Sequence, residues 1–494
     1  MPMSRCNRIL TRWSRLLLPL LLALPSCTKF LTVAPQGVVI PTTDEDFAAI
    51  VHTLVNDVEG GGDPYLLGNM ETLVTREGCA DDLDANLLAG TNLPAFAGEE
   101  INRRMTAWRD LYAIVRNCNI VIEGLSGRTS ETARGALSAA YAMKGIAYYN
   151  LLREFCGPWQ EGGPGLPLVE HFSLASRPLR ASLPETREFI DRQFNAALQA
   201  GPSTLFFFTE EVIRFYQVRL AFWCGDYDGV LALTEQMDLT PCPREDFAAM
   251  LSSTTPGGEL IARSHINDAS ELGWYFGYLK TYLESRPAAT AFVRLFGDEP
   301  ARDIRFTTCL DARRFATKPA ECRLRRSELL LMAAESRYHT GRPDLALGLL
   351  NTLRRNRIED AVDLTEATLP PVREGGRIRV DARGNALTPL LQAIFDERRK
   401  ELFLEGDRWF ELKRNGRPAW WVIAGGLKYT TEPYLYTSPI YIGDIDLLPE
   451  IRQNPGYVPA GTTYQLPKGV LPTTEEREIL TALREEYEAS LPMN

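Results

Sequence analysis

Glu397-Arg-Arg-Lys-Glu401-Leu-Phe-Leu-Glu405-Gly-Asp-Arg408-Trp-Phe-Glu-Leu-Lys-Arg414 is the stretch on which the reading of this chain turns. Thr388-Pro389 just ahead of it is a helix start, a capping hydroxyl followed by proline at the first helical position. Leu391, Ile394, Phe395 and Leu402 then recur on one helical stripe. Asp396–Lys400 and Arg398–Glu401 stand at ion-pair spacing, which contributes about 0.2–0.5 kcal/mol per pair on an exposed helix. A helix this rich in carboxylates suggests acid–base chemistry, but no histidine or nucleophile accompanies it. The reading is therefore a helix fixed against its neighbours by buried ion pairs.

Outward from this helix, two other segments share one plan. Ala221-Phe-Trp-Cys-Gly225-Asp-Tyr-Asp-Gly-Val230-Leu-Ala-Leu233 is a helix, a glycine turn and a second helix, and Arg337-Tyr-His-Thr-Gly341-Arg-Pro-Asp-Leu-Ala346-Leu-Gly-Leu349 repeats it. Apolar residues fall five, six and eight positions after the turn glycine in both. The plan resembles the helix-turn-helix unit of tetratricopeptide repeats, about 34 residues long. Each such unit leaves an apolar face that a neighbour must cover. Helical periodicity is also strong from Met105 to Leu125, where Trp108, Leu111, Tyr112, Val115, Cys118, Asn119 and Ile122 share a face. It returns from Thr132 to Phe155, with small residues at Ala136, Ala140 and Ala147 that allow close helix approach. Residues 242–320, 361–388 and 416–472 mix Gly, Pro and Thr with short apolar runs and read as loops with short strands. The predicted fold is mostly α, a tetratricopeptide-like helical repeat scaffold with a loop-rich, short-strand-containing ligand face. Repeat pairs are expected near 105–155, 209–237 and 325–357.

The N-terminus is read as a leader. Arg5, Arg8, Arg12 and Arg15 precede the apolar run Leu16–Leu24, and Leu24-Pro25-Ser26 leads into Cys27. Nine apolar residues are far short of the roughly 20 a membrane-spanning helix needs. Residues 1–26 are expected to be a signal peptide, Cys27 a lipidated first residue, 27–45 a tether and 46–494 a single domain. The alternative is an ordinary signal cut near Ser26 that leaves Cys27 free. Loss of the leader removes four arginines and no acid, leaving 50 basic against 64 acidic residues, a net charge near −14. That charge argues against nucleic acid and against electrostatic adhesion to anionic lipid, so a membrane hold falls to the anchor. Seven cysteines follow Cys27, an odd number at irregular spacing with no paired CxxC. Cys309 and Cys322 are the expected pair if any bridge forms, and the others read as buried thiols.

ERR-EL-x2-EG-x-RW-x2-LKR within 397–414 resembles the C-terminal signature of the SusD/RagB family of outer-membrane nutrient-binding lipoproteins of Bacteroidetes. Other segments are similar in the family's order: Cys27-Thr-Lys-Phe-Leu31 with Pro35, Trp108 to Asn119, Ala140 to Gly157, Arg326 to Glu335, Leu350 to Arg357, and Gln453-Asn-Pro-Gly-Tyr457. Three features depart from the family pattern. Ile440-Tyr441 stands ahead of Asp444-Ile445 where the family usually has Ile-Pro before Glu-Ile. Thr28–Leu31 lacks the acids often found after the lipidated cysteine. The chain also runs 37 residues past Tyr457; in this C-terminal extension, 458–494, Thr473-x-x-Glu476 is a capping box for a short amphipathic helix.

The resemblance implies a lipoprotein of the outer membrane, anchored by lipid on Cys27 and facing outward. It would capture an oligosaccharide or other nutrient and deliver it to a SusC-like TonB-dependent transporter, with no cofactor and no catalysis. Capture needs a concave surface with aromatic platforms and a few polar groups. Trp274, Tyr275 and Tyr278, in the glycine-flanked run Gly273–Tyr278, are the densest aromatic cluster; the alternative is a strand packing them inward. Trp159, after Gly157-Pro158, is a second candidate. Asp81 and Asp82, in Gly78–Asp84, are a third, able to hydrogen-bond hydroxyls or hold calcium, with an exposed acidic loop as the plainer reading. Trp420-Trp421 reads as packing near the charged helix. His52, His171, His265 and His339 show no metal spacing and read as surface or capping residues. No HExxH, GxSxG or P-loop occurs. Two further classes stay open, a tetratricopeptide-like scaffold acting only through protein contacts and a surface hydrolase.

Overall fold

Hydroxyl and carboxylate caps set the helix starts. The computed structural model describes residues 40–59, 63, 65–68, 70–88, 94–264, 285–318 and 321–492. Its first helices are α1 (Asp44–Glu59), α2 (Met70–Cys79), α3 (Glu100–Leu125) and α4 (Glu131–Phe155). Ser130 Oγ accepts the Ala133 amide to open α4. At α5 (Leu183–Ala200), Ser182 and Glu185 form a reciprocal capping box. Thr209 caps α6 (Glu210–Trp223) and Asp226 caps α7 (Tyr227–Thr234).

Helix α4 is buried along almost its whole length because its neighbours come very close. A Cβ at Gly145 would lie 2.6 Å from the Phe194 ring, and one at Gly135 2.9 Å from Phe206. These glycines, with the buried Ala136, Ala140 and Ala147, let α1, α3 and α5 pack against α4. Trp108, Tyr148, Phe155 and Phe189 form the aromatic centre of this interior, in edge-on contacts at 4.7–5.2 Å.

The two self-similar segments fold alike. Helix α6 turns at Gly225 (φ +68°) into α7, and α8 (Arg326–His339) turns at Gly341 (φ +76°) into α9 (Pro343–Arg355). A left-handed turn residue explains glycine at both places. Helix α8 packs on α7 and on α9, so the hairpins cover each other's apolar faces.

The charged helix is α10 (Pro389–Glu401), capped by Thr388 as the sequence indicated. It stops at Leu402–Asp407, where Leu404 (φ +58°) and Gly406 (φ +79°) bend the chain into α11 (Arg408–Arg414). Leu391, Ile394, Phe395 and Leu402 are buried.

All strands come as two-stranded antiparallel pairs. They are β1 (Pro164–Pro167) with β2 (Arg180–Ser182), β3 (Leu260–Arg263) with β4 (Arg323–Arg325), β5 (Trp421–Ala424) with β6 (Leu427–Thr430), and β7 (Pro459–Ala460) with β8 (Thr463–Tyr464). Gly425-Gly426, both at positive φ, make the two-residue turn of β5–β6. Trp420 is buried edge-on against Phe96 at 5.1 Å. The C-terminal helix α12 (Thr474–Ala489) forms with its capping box and lies on the domain, Tyr487 donating to the Arg313 carbonyl and Lys428 pairing with Glu476.

Two expectations are corrected. Cys309 and Cys322 are free thiols, as are Cys79, Cys118, Cys156, Cys224 and Cys242. His339 is buried at the end of α8, stacked on Tyr227 at 4.2 Å.

Candidate functional site

Two charge pairs of the 397–414 segment each run along a single helix, Lys400–Glu397 and Arg408–Glu411, and the rest reach other elements. Lys400 bonds Glu397 at 2.7 Å, Arg398 bonds Asp407 at 2.8 Å, and Asp396 is taken by Arg373. Glu401, fully buried, meets Arg325 at 2.6 Å, Arg357 at 3.0 Å and Arg305 at 3.2 Å. Arg325 and Arg357 share Glu259 as well, at 2.9 and 2.7 Å, while Arg305 also holds Asp303 and Glu397, each at 2.7 Å. Glu405 takes Lys318, and Glu321 takes Arg323 at 2.8 Å. Six buried cations (Arg305, Lys318, Arg323, Arg325, Arg357, Lys400) thus face six buried carboxylates (Glu259, Asp303, Glu321, Glu397, Glu401, Glu405), and the partly buried Arg263 and Arg354 add ion pairs to Glu321 and Glu397 at 3.2 and 3.3 Å. Burial pushes the Glu401 carboxyl up, but Arg357, Arg325 and Arg305 outweigh it and hold it well below the usual range. Carboxylates so held are poor proton carriers. This network ties together the ends of α9 and α10, strands β3 and β4, and the turn at 303–305.

The acids after α2 belong to a second part of the same lock. Asp81 and Asp82 are 6% and 1% exposed, not an exposed loop. Arg408 Nε donates to Asp81 at 2.7 Å, and Arg399 Nε to Asp82 at 2.5 Å. These carboxylates are already committed to guanidinium groups. Among the described residues no group of three or more His, Cys, Asp and Glu side chains is placed to hold a metal ion. Nothing in the local sequence connects these acids to Arg399 and Arg408, more than 300 residues away. Glu77, one helical turn earlier, accepts the Gly406 amide at 2.8 Å, and burial together with Asp82 pushes its carboxyl up to about 8.

A cavity of about 240 Å³ opens beside this lock, and its lining residues were not singled out from the sequence. Helix α2 contributes Thr72, Thr75, Arg76 and Cys79; α3 contributes Arg103, Arg104, Thr106, Ala107 and Leu111; α4 contributes Asn150 and Glu154; Tyr65 and Trp409 complete it. Arg104 Nε donates to Glu154 at 2.9 Å and Nη1 to the Leu435 carbonyl at 3.4 Å, but buried Nη2 has no acceptor. Trp409, stacked on Tyr436 at 4.2 Å, has a buried Nε1–H with no acceptor either. Arg76 lies over the Phe410 ring at 5.3 Å and has no ion pair or hydrogen bond among the described residues. Burial lowers its pKa. Burial pushes the Cys79 thiol in the same wall up to about 12, so it stays neutral. Of the three arginines in the wall, Arg104 pairs with Glu154 and Arg103 with Glu100, which leaves Arg76 without a carboxylate among the described residues.

Trp159 sits half-buried on a single turn, Trp159–Glu161, after α4, its ring partly packed on the larger interior. Glu161 on that turn pairs with Arg417. Trp274, Tyr275, Tyr278 and Cys27 lie outside the described residues. His52 and His171 are exposed.

The SusD family model matches residues 311–457, a span that includes α8–α11 and most carboxylates of the buried network. Among the solved structures that share the fold are the following. A SusD superfamily protein from Bacteroides thetaiotaomicron is 19% identical with a TM-score of 0.62, over 84% of this chain and 100% of that one. A SusD-like carbohydrate binding protein from Bacteroides vulgatus is 15% identical with a TM-score of 0.57, over 92% and 99%. A laminarin binding SusD-like protein is 14% identical with a TM-score of 0.56, over 85% and 100%. No curated protein matches the chain. This chain thus has the SusD superfamily fold and carries the SusD family's sequence signature over residues 311–457.

Proposed function

We propose that this protein is a lipid-anchored lipoprotein of the outer membrane that captures a carbohydrate and passes it to a SusC-like TonB-dependent transporter. The observation that carries this reading is the SusD signature of 311–457 placed in a SusD fold. The leader and Cys27 support the anchor, and no helix of the described residues is long and apolar enough to cross a membrane. Trp159, Trp274, Tyr275 and Tyr278 are the proposed sugar platforms. Asp81 and Asp82 serve behind the surface as counter-charges. The described motif carboxylates are held in ion pairs, which favours binding over hydrolysis.

Calorimetric titration of the purified protein with neutral and acidic oligosaccharides and with peptides tests the reading. Saturable carbohydrate binding that weakens at least tenfold in Trp159→Ala or Trp274→Ala supports it. No binding of any nutrient class, with tight binding to another protein, overturns it in favour of a helical-repeat scaffold. Recovery of the protein without a fatty acid on Cys27 after metabolic labelling overturns the anchor.

A further inference from the structure

The cavity between α2, α3, α4 and α11 is short of acceptors. Arg104 Nη2 and Trp409 Nε1 are buried donors with nothing to receive them, and such groups are rare in folded proteins and costly. Arg76 adds a guanidinium with no counter-charge among the described residues. Other buried arginines also have single unpartnered N–H groups, but here such donors and an arginine without an ion pair line one open cavity. An unpaired cation beside a cavity persists when a ligand supplies its partner.

From these groups we propose that the cavity binds a sugar ring bearing a carboxylate, a uronate residue of an acidic glycan. A carboxylate accepts two donors from one guanidinium, and the hydrogen bonds are charge-assisted. The hydroxyls of Tyr65, Thr75 and Thr106 in the same wall suit a sugar's own hydroxyls, and Ala107 and Leu111 give an apolar side for its C–H face. Sites for drug-sized ligands span about 300–1,000 Å³, so a cavity of this size takes one ring and not a chain. The inference rests on the carbohydrate-capture reading for its ligand class, while the anion preference rests on the wall alone.

The test measures thermal midpoint and calorimetric affinity for D-glucuronate and D-galacturonate, with D-glucose, D-galactose, acetate and inorganic phosphate as controls. The expected result is uronate binding at least tenfold tighter than either neutral sugar or bare anion. Arg76→Met should lose at least tenfold in uronate affinity, and Arg76→Lys should recover part of it. Without ligand, Arg76→Met should melt no lower than wild type, because it removes an uncompensated charge and keeps the packing on Phe410. Equal uronate affinity in Arg76→Met overturns the assignment. So does acetate or phosphate binding as tightly as uronate, which leaves an anion site without ring recognition. Neutral glycans bound without any uronate response overturn this inference and leave the capture reading standing. Uronate bound through Arg76, with no oligosaccharide captured, supports the cavity and overturns the capture reading instead.

Discussion

Replacing Glu401 by glutamine should be among the most damaging single-atom changes possible in this chain. Glu401 is fully buried and receives Arg305, Arg325 and Arg357 at 2.6–3.2 Å. Glu401→Gln takes away the charge that three buried guanidinium groups share and turns an amide N–H toward a guanidinium. Breaking a buried pair by removing one partner costs about 3–5 kcal/mol. Asp396→Asn is the matched control: its partner Arg373 is 44% exposed, and such pairs contribute about 0–1 kcal/mol. Urea unfolding followed by circular dichroism, at pH 7 and fixed salt, reads both variants as shifts in midpoint at constant slope. The double variant Glu401→Gln/Arg357→Met removes one cation along with the carboxylate and should lie above the sum of its singles by about 0.5–3 kcal/mol. A loss in Glu401→Gln no larger than in Asp396→Asn would refute the reasoning, because it would mean that these charges are solvated and do not hold the helices together.

Two other outcomes follow from the same region. Gly406→Ala should destabilise clearly more than Gly127→Ala. Both are left-handed, at φ +79° and +77°, but a Cβ at 406 would meet Leu73 at 2.7 Å while one at 127 meets nothing within 4 Å. The backbone term alone is about 1–3 kcal/mol, and urea midpoints separate the two. Glu77 governs a pH response: its folded carboxyl titrates at about 8 against 4.5 ordinarily, so the folded state keeps a proton that the unfolded state releases. Its contribution is full below about pH 4.5 and is lost as pH rises through about 8, with a slope of at most about 1.4 kcal/mol per pH unit. Thermal midpoints of wild type and Glu77→Gln from pH 5 to 9 should diverge as pH rises, the variant staying flatter; parallel curves would contradict the burial of Glu77.

The sequence alone determined the helices and their joints. The start of α10 at Thr388-Pro389, the turns at Gly225 and Gly341, the small-residue face of α4 and the capped α12 are written in adjacent residues, because backbone preference and amphipathic period act over a few positions. It also pointed to the 397–414 charges as buried ion pairs, and the structure shows such pairs. The partners of those charges were decided only by the tertiary structure. Spacing suggested Asp396–Lys400 and Arg398–Glu401, but burial makes each charge seek the strongest opposite charge available in space. For Glu401 these are Arg305, Arg325 and Arg357, and for Asp81 and Asp82 they are Arg408 and Arg399. The cavity was equally illegible. It is the gap left where four helices meet, and Arg76 and the spare Arg104 Nη2 come together there only in the folded chain.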